Sequence, residues 1–328
     1  MRKILPISIS VIVLTIIVAQ LNQSYSWGFF AHKKINKYAV YTLPPEMVVL
    51  YKKHIEYISE NAVGPDCRRY SDPEEAPRHY IDIDHYAIEK PFDVMPRKWK
   101  DAVAKYSEDT LKAYGIVPWH VLTVLYRLTD AFKEKNVSKI LHVSADLGHY
   151  IGDAHVPLHT TENYNGQMTG QRGIHGFWES RVPEMFSQDY NYFTGRAQYI
   201  DRPLDYIWQV VQDSHAALDS VLLFEKQLTD SFPPDKKYSY ETRGQTTIKV
   251  YSKEFTEAYN KKLNGMVERR MVHAILTVGS FWYTAWVDAG KPDLKALEDK
   301  DITAELKKQQ KEEEKMWKTG KGYGRDHE

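Results

Sequence analysis

The chain has 328 residues, 42% of them hydrophobic, enough for one large core or two small ones. Lys plus Arg and Asp plus Glu each number 44, so no global charge draws the protein to nucleic acid or to an anionic membrane, and any polyanion site must be local. The single cysteine, Cys67, excludes an intramolecular disulfide framework.

Residues 1–26 read as a signal peptide: Arg2 and Lys3, an apolar run from Ile4 to Ala19, then Ser24 and Ser26 as small residues before a cleavage point at Trp27. The run is shorter than the ~20 residues a spanning helix needs, which disfavours an uncleaved anchor. The mature protein is therefore expected to be exported, periplasmic or secreted, with no transmembrane segment. Helices are expected over residues 32–41, 99–113 and 119–133. Another starts at Ser138 as N-cap, with Ile140, Ser144, Leu147 and Ile151 as a buried stripe. Glycine and asparagine crowd residues 163–173, which read as an irregular surface loop between two helical pieces. Further helices fit residues 204–227, entered through Pro203, and 253–287 as one long element. Strand signals are confined to patches such as residues 79–86, so the fold class is all-α. A helical domain over residues 27–290 and a charged C-terminal tail over 291–328, a solvated helix that frays, complete the organisation.

The chemistry concentrates in GHYIGDAHVPLH, which holds His149, Asp153 and His159, and in HGFWE, which holds His175 and Glu179. Residues four apart share a helical face, so His149 with Asp153, and His175 with Glu179, can each grip one ion from adjacent turns. Imidazole with carboxylate is a donor set that zinc accepts. One such pair arises readily by chance as a surface pair, whereas two pairs joined by His159 form a pattern.

This spacing resembles the zinc core shared by bacterial zinc-dependent phospholipases C and the single-strand-specific nucleases of fungi and plants. The resemblance extends to a mature N-terminal tryptophan, here Trp27, whose amine and carbonyl bind zinc, and to His32 in WGFFAH at the spacing of the nuclease branch. It implies an all-α single domain with a metal cluster at the base of a cleft and about three zinc ions. It also implies an aspartate and a histidine between the N-terminus and the core. Asp66 and His79 fit that order, with Asp72 and His85 as alternatives. Carried over, Asp66, His79, His149 and Asp153 would hold one zinc. Trp27, His32 and the shared Asp153 would hold a second, and His159, His175 and Glu179 a third. Asp66 would also orient the attacking water or accept its proton.

Several neighbours have plainer readings. His142 and His155 lack a partner in the pattern, and Asp82, Asp84 and His85 read as loop residues or as groups that orient ligating imidazoles. Tyr80, Tyr86, Tyr164, Phe177 and Trp178 read as core before pocket lining. Two substrates compete, phospholipid and single-stranded nucleic acid. Glu179, where the nuclease branch usually carries aspartate, and the neutral charge favour a phospholipase C-like enzyme. The Trp27 to His32 spacing and the wording GDAHVPLHTTEN favour a single-strand endonuclease or 3'-nucleotidase. The balance falls narrowly on the phospholipase label. A non-catalytic zinc-binding exported protein is the reading from another class, and the retained Asp66 argues against it.

Overall fold

Helical periodicity governs nearly all of the computed structural model, which describes residues 29–243, 246–320 and 322–323. The signal-peptide segment and Trp27 lie outside the described residues. Helix α1 (Phe29–Ala39) buries Ala31, Ile35 and Ala39 together with His32 and Asn36, so two stripes at i, i+4 spacing face inward. Short helices α2 (Pro45–Lys53), α3 (Ile55–Glu60) and α4 (Gly64–Arg68) follow, and α4 carries Asp66 in its first turn. The stretch expected as one helix over 99–113 is two, α5 (Trp99–Tyr106) and α6 (Glu108–Ala113). Ser107 separates them with φ 70°, and its hydroxyl accepts the Thr110 N–H as the cap of α6.

Helices α7 (Val117–Lys133) and α8 (Val137–Ala154) form a hairpin. The cap of α8 is Asn136, which accepts the Lys139 N–H, and not Ser138, whose hydroxyl accepts the Thr303 N–H at 2.9 Å instead. Helix α9 (Pro203–Ser231) starts at its proline as expected. The long helix expected over 253–287 divides into α10 (Lys253–Leu263) and α11 (Met266–Asp288). Asn264 and Gly265 stand between them, both left-handed, at φ 49° and 72°.

A hairpin of β1 (Tyr238–Arg243) and β2 (Thr246–Tyr251) pairs antiparallel with Tyr238 opposite Tyr251. Its signal was two β-branched and aromatic runs separated by two residues including glycine. Residues 79–86 are not a strand. They run from one tight turn, Ala76–His79, into another, Ile83–His85, and only His79 among them reaches the metal-type cluster. In the tail, α12 (Ala304–Thr319) buries none of its residues. It lies along α4, with the Trp317 ring 4.9 Å from that of Phe29. No described helix is long and apolar enough to cross a membrane.

Helix α8 sits at the centre, packed against α1, α7 and α11. Leu141, Leu147 and Ile151 enter the core with Phe132 and Trp282, and the Trp282 indole N–H donates to the Ser144 carbonyl at 2.9 Å. The close approach of α1 to α8 depends on glycine. A Cβ on Gly148 would lie 1.9 Å from Asn36 Oδ1, and Asn36 is held by its amide donating to the Ala145 carbonyl at 3.0 Å. Gly148→Ala is therefore expected to cost about 1–3 kcal/mol of stability through overpacking. Denaturant melts read this directly; an unchanged midpoint would mean the two helices are not so tightly apposed.

Candidate metal centre

The site is assembled on α8. His149 and Asp153 project from consecutive turns, with His149 Nε2 3.1 Å from Asp153 Oδ2. Helix α1 lays His32 across them. Its ring stacks on His149 at 4.0 Å between centroids, and its Nε2 lies 3.3 Å from Asp153 Oδ1. A Cβ on Gly152 would come 3.0 Å from His32 Nδ1, so the bare glycine is what lets this imidazole reach the aspartate. From the turn ending at His79, Nδ1 reaches Asp153 Oδ2 at 2.9 Å and His149 Nε2 at 3.0 Å. Asp66 on α4 completes this side, Oδ1 standing 3.8 Å from His149 Nε2 and 3.9 Å from His79 Nδ1.

The second side follows the end of α8. His159 sits in the turn Pro157–Thr160, with Nδ1 3.8 Å from Asp153 Oδ1 and Nε2 3.4 Å from Glu179 Oε2. His175 Nε2 lies 3.0 Å from the same Glu179 oxygen. That pair spans a junction, His175 in a single α-turn (Ile174–Gly176) and Glu179 in a widened π-turn (Phe177–Arg181), the kind of local distortion that recurs at functional sites. Gly173, at φ 92°, starts the turn in a backbone conformation that disfavours a side chain.

The segment 163–173 is irregular but not on the surface throughout: Asn163, Asn165 and Gln171 are buried. Asn165 Oδ1 accepts the N–H groups of Gly173 and His175, and the Tyr164 carbonyl accepts the His175 Nδ1–H at 3.0 Å. The asparagines and glycines build a mould for His175. Buried backbone needs partners, and here side-chain amides supply them.

The donor set fits a cation. His149, His159 and His175 each donate Nδ1–H to a backbone carbonyl, those of Ala62 at 2.8 Å, His79 at 2.6 Å and Tyr164 at 3.0 Å. Each ring thereby turns Nε2 toward carboxylate oxygens. Neither Glu179 oxygen accepts a hydrogen bond among the described residues, although the residue is fully buried. Inward lone pairs facing buried carboxylates are tolerable only with positive charge between them, on the imidazoles or as metal. Without metal, two of the imidazoles, His149 and His159, favour the protonated form. Burial pushes His149 down, but Asp153 and Asp66 override it and raise the imidazole to about 9. His159 is likewise raised, with Asp153 and Glu179 outweighing burial. Burial would raise Asp153, yet His149 and His159 hold it well below the usual carboxylate range.

Three groups of ligand-type atoms result, each within 4.8 Å: His32, His149 and Asp153; Asp66, His79 and His149; His159, His175 and Glu179. Every described candidate from the sequence lies in them. Asp72 instead pairs with Arg78 at 3.2 Å, and His85 faces Glu162 at 3.3 Å, so neither alternative joins the cluster. His155 is buried away from it, donating Nδ1–H to the Ile151 carbonyl and facing His273. His142 pairs with Asp146 at 3.7 Å. Phe177 and Trp178 are core. Sequence reasoning passed over Asn165, which the Asn-Gly crowding advertised, and Glu75 behind His79, although the two stand four apart like the ligand pairs.

The model of the S1/P1 nuclease family matches residues 27–276, from the expected N-terminal tryptophan into α11. No curated protein matches the chain. With three buried His and carboxylate groups at one site and a family match across most of its length, the chain belongs to the S1/P1 nuclease family, zinc-dependent hydrolases of phosphodiester bonds within the zinc phospholipase C and single-strand nuclease superfamily.

Proposed function

We propose that the protein is an exported phosphodiesterase that hydrolyses single-stranded nucleic acid at a site for three zinc ions. The observation that carries this is the convergence of His32, His79, His149, His159 and His175 on Asp66, Asp153 and Glu179 in one buried cluster. Asp66, His79, His149 and Asp153 would hold one ion. Trp27, His32 and Asp153 would hold the second, and His159, His175 and Glu179 the third. Bound zinc supplies Lewis acidity toward a phosphoryl oxygen and lowers the pKa of water.

The chain's own part is to hold these groups without reorganisation. Backbone carbonyls lock three imidazoles, and Asp153 joins the two sides because its oxygens face different histidines. Asp66 would orient a water and take its proton, a role supported by its being, at 4% exposure, the most accessible of the three carboxylates.

Support for nucleic acid over lipid comes from the family, whose members act on nucleic acid, and from the Trp27 to His32 spacing. A neutral protein is no obstacle, since dications provide the local positive charge. Glu179 keeps the phospholipase C-like reading as the second one. Export rests on the leader pattern of residues 1–26 and on a family match that begins at 27. The test is hydrolysis by the purified mature protein of single-stranded DNA and of phosphatidylcholine, each with and without chelator. Chelator-sensitive cleavage of DNA alone is expected; cleavage of the lipid alone would overturn the substrate class.

A further inference from the structure

His79 is the reversed imidazole of the cluster. His149, His159 and His175 bind carbonyls through Nδ1 and turn Nε2 inward, whereas His79 turns Nδ1 inward, toward Asp153 and His149. Its outer nitrogen, Nε2, is buried and makes no hydrogen bond among the described residues. It faces Glu75 Oε1 at 3.6 Å, one turn upstream. That carboxylate is wholly buried. Oε2 accepts from Arg68 Nε at 3.3 Å and Arg78 Nη1 at 2.6 Å, and Oε1 accepts the Tyr150 hydroxyl. Arg68 is in turn clamped on Asp146, with its Nη2 2.8 Å from Oδ2. The carboxylate is thus held between two guanidiniums, those of Arg68 and Arg78.

A buried ionised carboxylate between two guanidiniums is weak evidence for stability, because apolar residues of the same volume commonly serve as well. Its aim at His79 gives it another use. Each of the other three locked rings has a neutral carbonyl behind it; this one has a full negative charge. We propose that Glu75 is a positioning residue that fixes His79 as its Nε2–H tautomer, so that the Nδ1 lone pair faces the cluster as a metal ligand. The inference rests on the three-zinc reading above. A charge at this distance favours the proton on the near nitrogen even before a hydrogen bond closes, and carboxylates behind ligating imidazoles raise their basicity in the same way.

Two measurements test it. In zinc-loaded Glu75→Gln, one ion is expected to be lost to a competing chelator at concentrations about 10–100-fold lower than in the unmodified protein, the others being retained. Turnover should fall with KM little changed. Arg78→Gln removes one guanidinium from Glu75 but leaves the carboxylate, and should lower the melting temperature with zinc retention intact. Equal zinc loss in both variants, or a Glu75→Gln protein that melts lower yet holds every ion as tightly, overturns the proposal. The second measurement needs no stable variant. Nitrogen-15 NMR of histidine-labelled, zinc-loaded protein, with His79 assigned by the signals missing in His79→Gln, should show Nε2 protonated and Nδ1 bound to metal. Metal on Nε2 overturns it. A protein that binds no zinc at all sinks the three-zinc reading instead, and that outcome is visible in the metal content before either test begins.

Discussion

Asp153→Asn is expected to lower phosphodiester hydrolysis on the order of a thousandfold or more, the scale seen when a group that organises an entire site is removed. The side chain keeps its shape in this substitution, so the loss reports chemistry and not a cavity. Asp153 Oδ2 faces His149 and His79, and Oδ1 faces His32 and His159. Asparagine turns one of these oxygens into a donor and removes one of only three carboxylate charges among the described groups that would balance the bound cations. Zinc content by atomic absorption should fall by at least one ion in parallel with turnover. An Asp153→Asn protein with the unmodified zinc content and rate would dismantle the shared-ligand picture.

Removing zinc should abolish hydrolysis and leave a protein that loses stability as pH rises above about 6.5, a loss the loaded enzyme does not share. In the metal-free chain His149 is raised to about 9, because Asp153 and Asp66 outweigh burial. Its folded pKa therefore exceeds the unfolded value of about 6.5. Its stabilising contribution is complete below about pH 6.5 and is lost as pH rises toward 9. His159 shifts in the same direction. Asp153 and Glu179 are lowered, so their contributions are present above the ordinary carboxylate range and are lost only as pH falls into acid. His32 is lowered by burial and by His149 and works against the pair. Metal binding needs neutral imidazoles, so zinc holds more tightly as pH rises. The gap in melting temperature between loaded and metal-free protein should therefore widen from pH 6.5 to 9. A gap that stays constant over that window would mean that the imidazoles of the empty cluster carry no protons.

Much of the site was legible before any coordinates because it follows helical arithmetic. His149 and Asp153 meet since four residues make about one turn, and His175 meets Glu179 even across a π-turn. His32 came instead from the family resemblance, through its spacing from Trp27 in the sequence. The all-α class was equally visible, since stripes such as Leu147 and Ile151 repeat at helical spacing over many turns. The boundaries within long helical stretches were not. Ser107 and the Asn264-Gly265 pair end helices through left-handed backbone, a local event that an apolar stripe running on both sides conceals.

By itself the sequence determined the residue types that can meet a metal, their order along the chain, and the helical face that presents one pair of them. Tertiary structure alone decided between Asp66 and Asp72 and between His79 and His85, because these candidates sit in short turns with no periodicity to aim them. It also decided that Asn163, Asn165 and Gln171 turn inward, with Asn165 shaping the seat of His175, and that Glu75 stands behind His79. The reason is the same in each case. A helix fixes the direction of its side chains through its own hydrogen bonds, whereas a turn takes its direction from distant partners, here the carbonyls, amides and charges of elements far away in the chain.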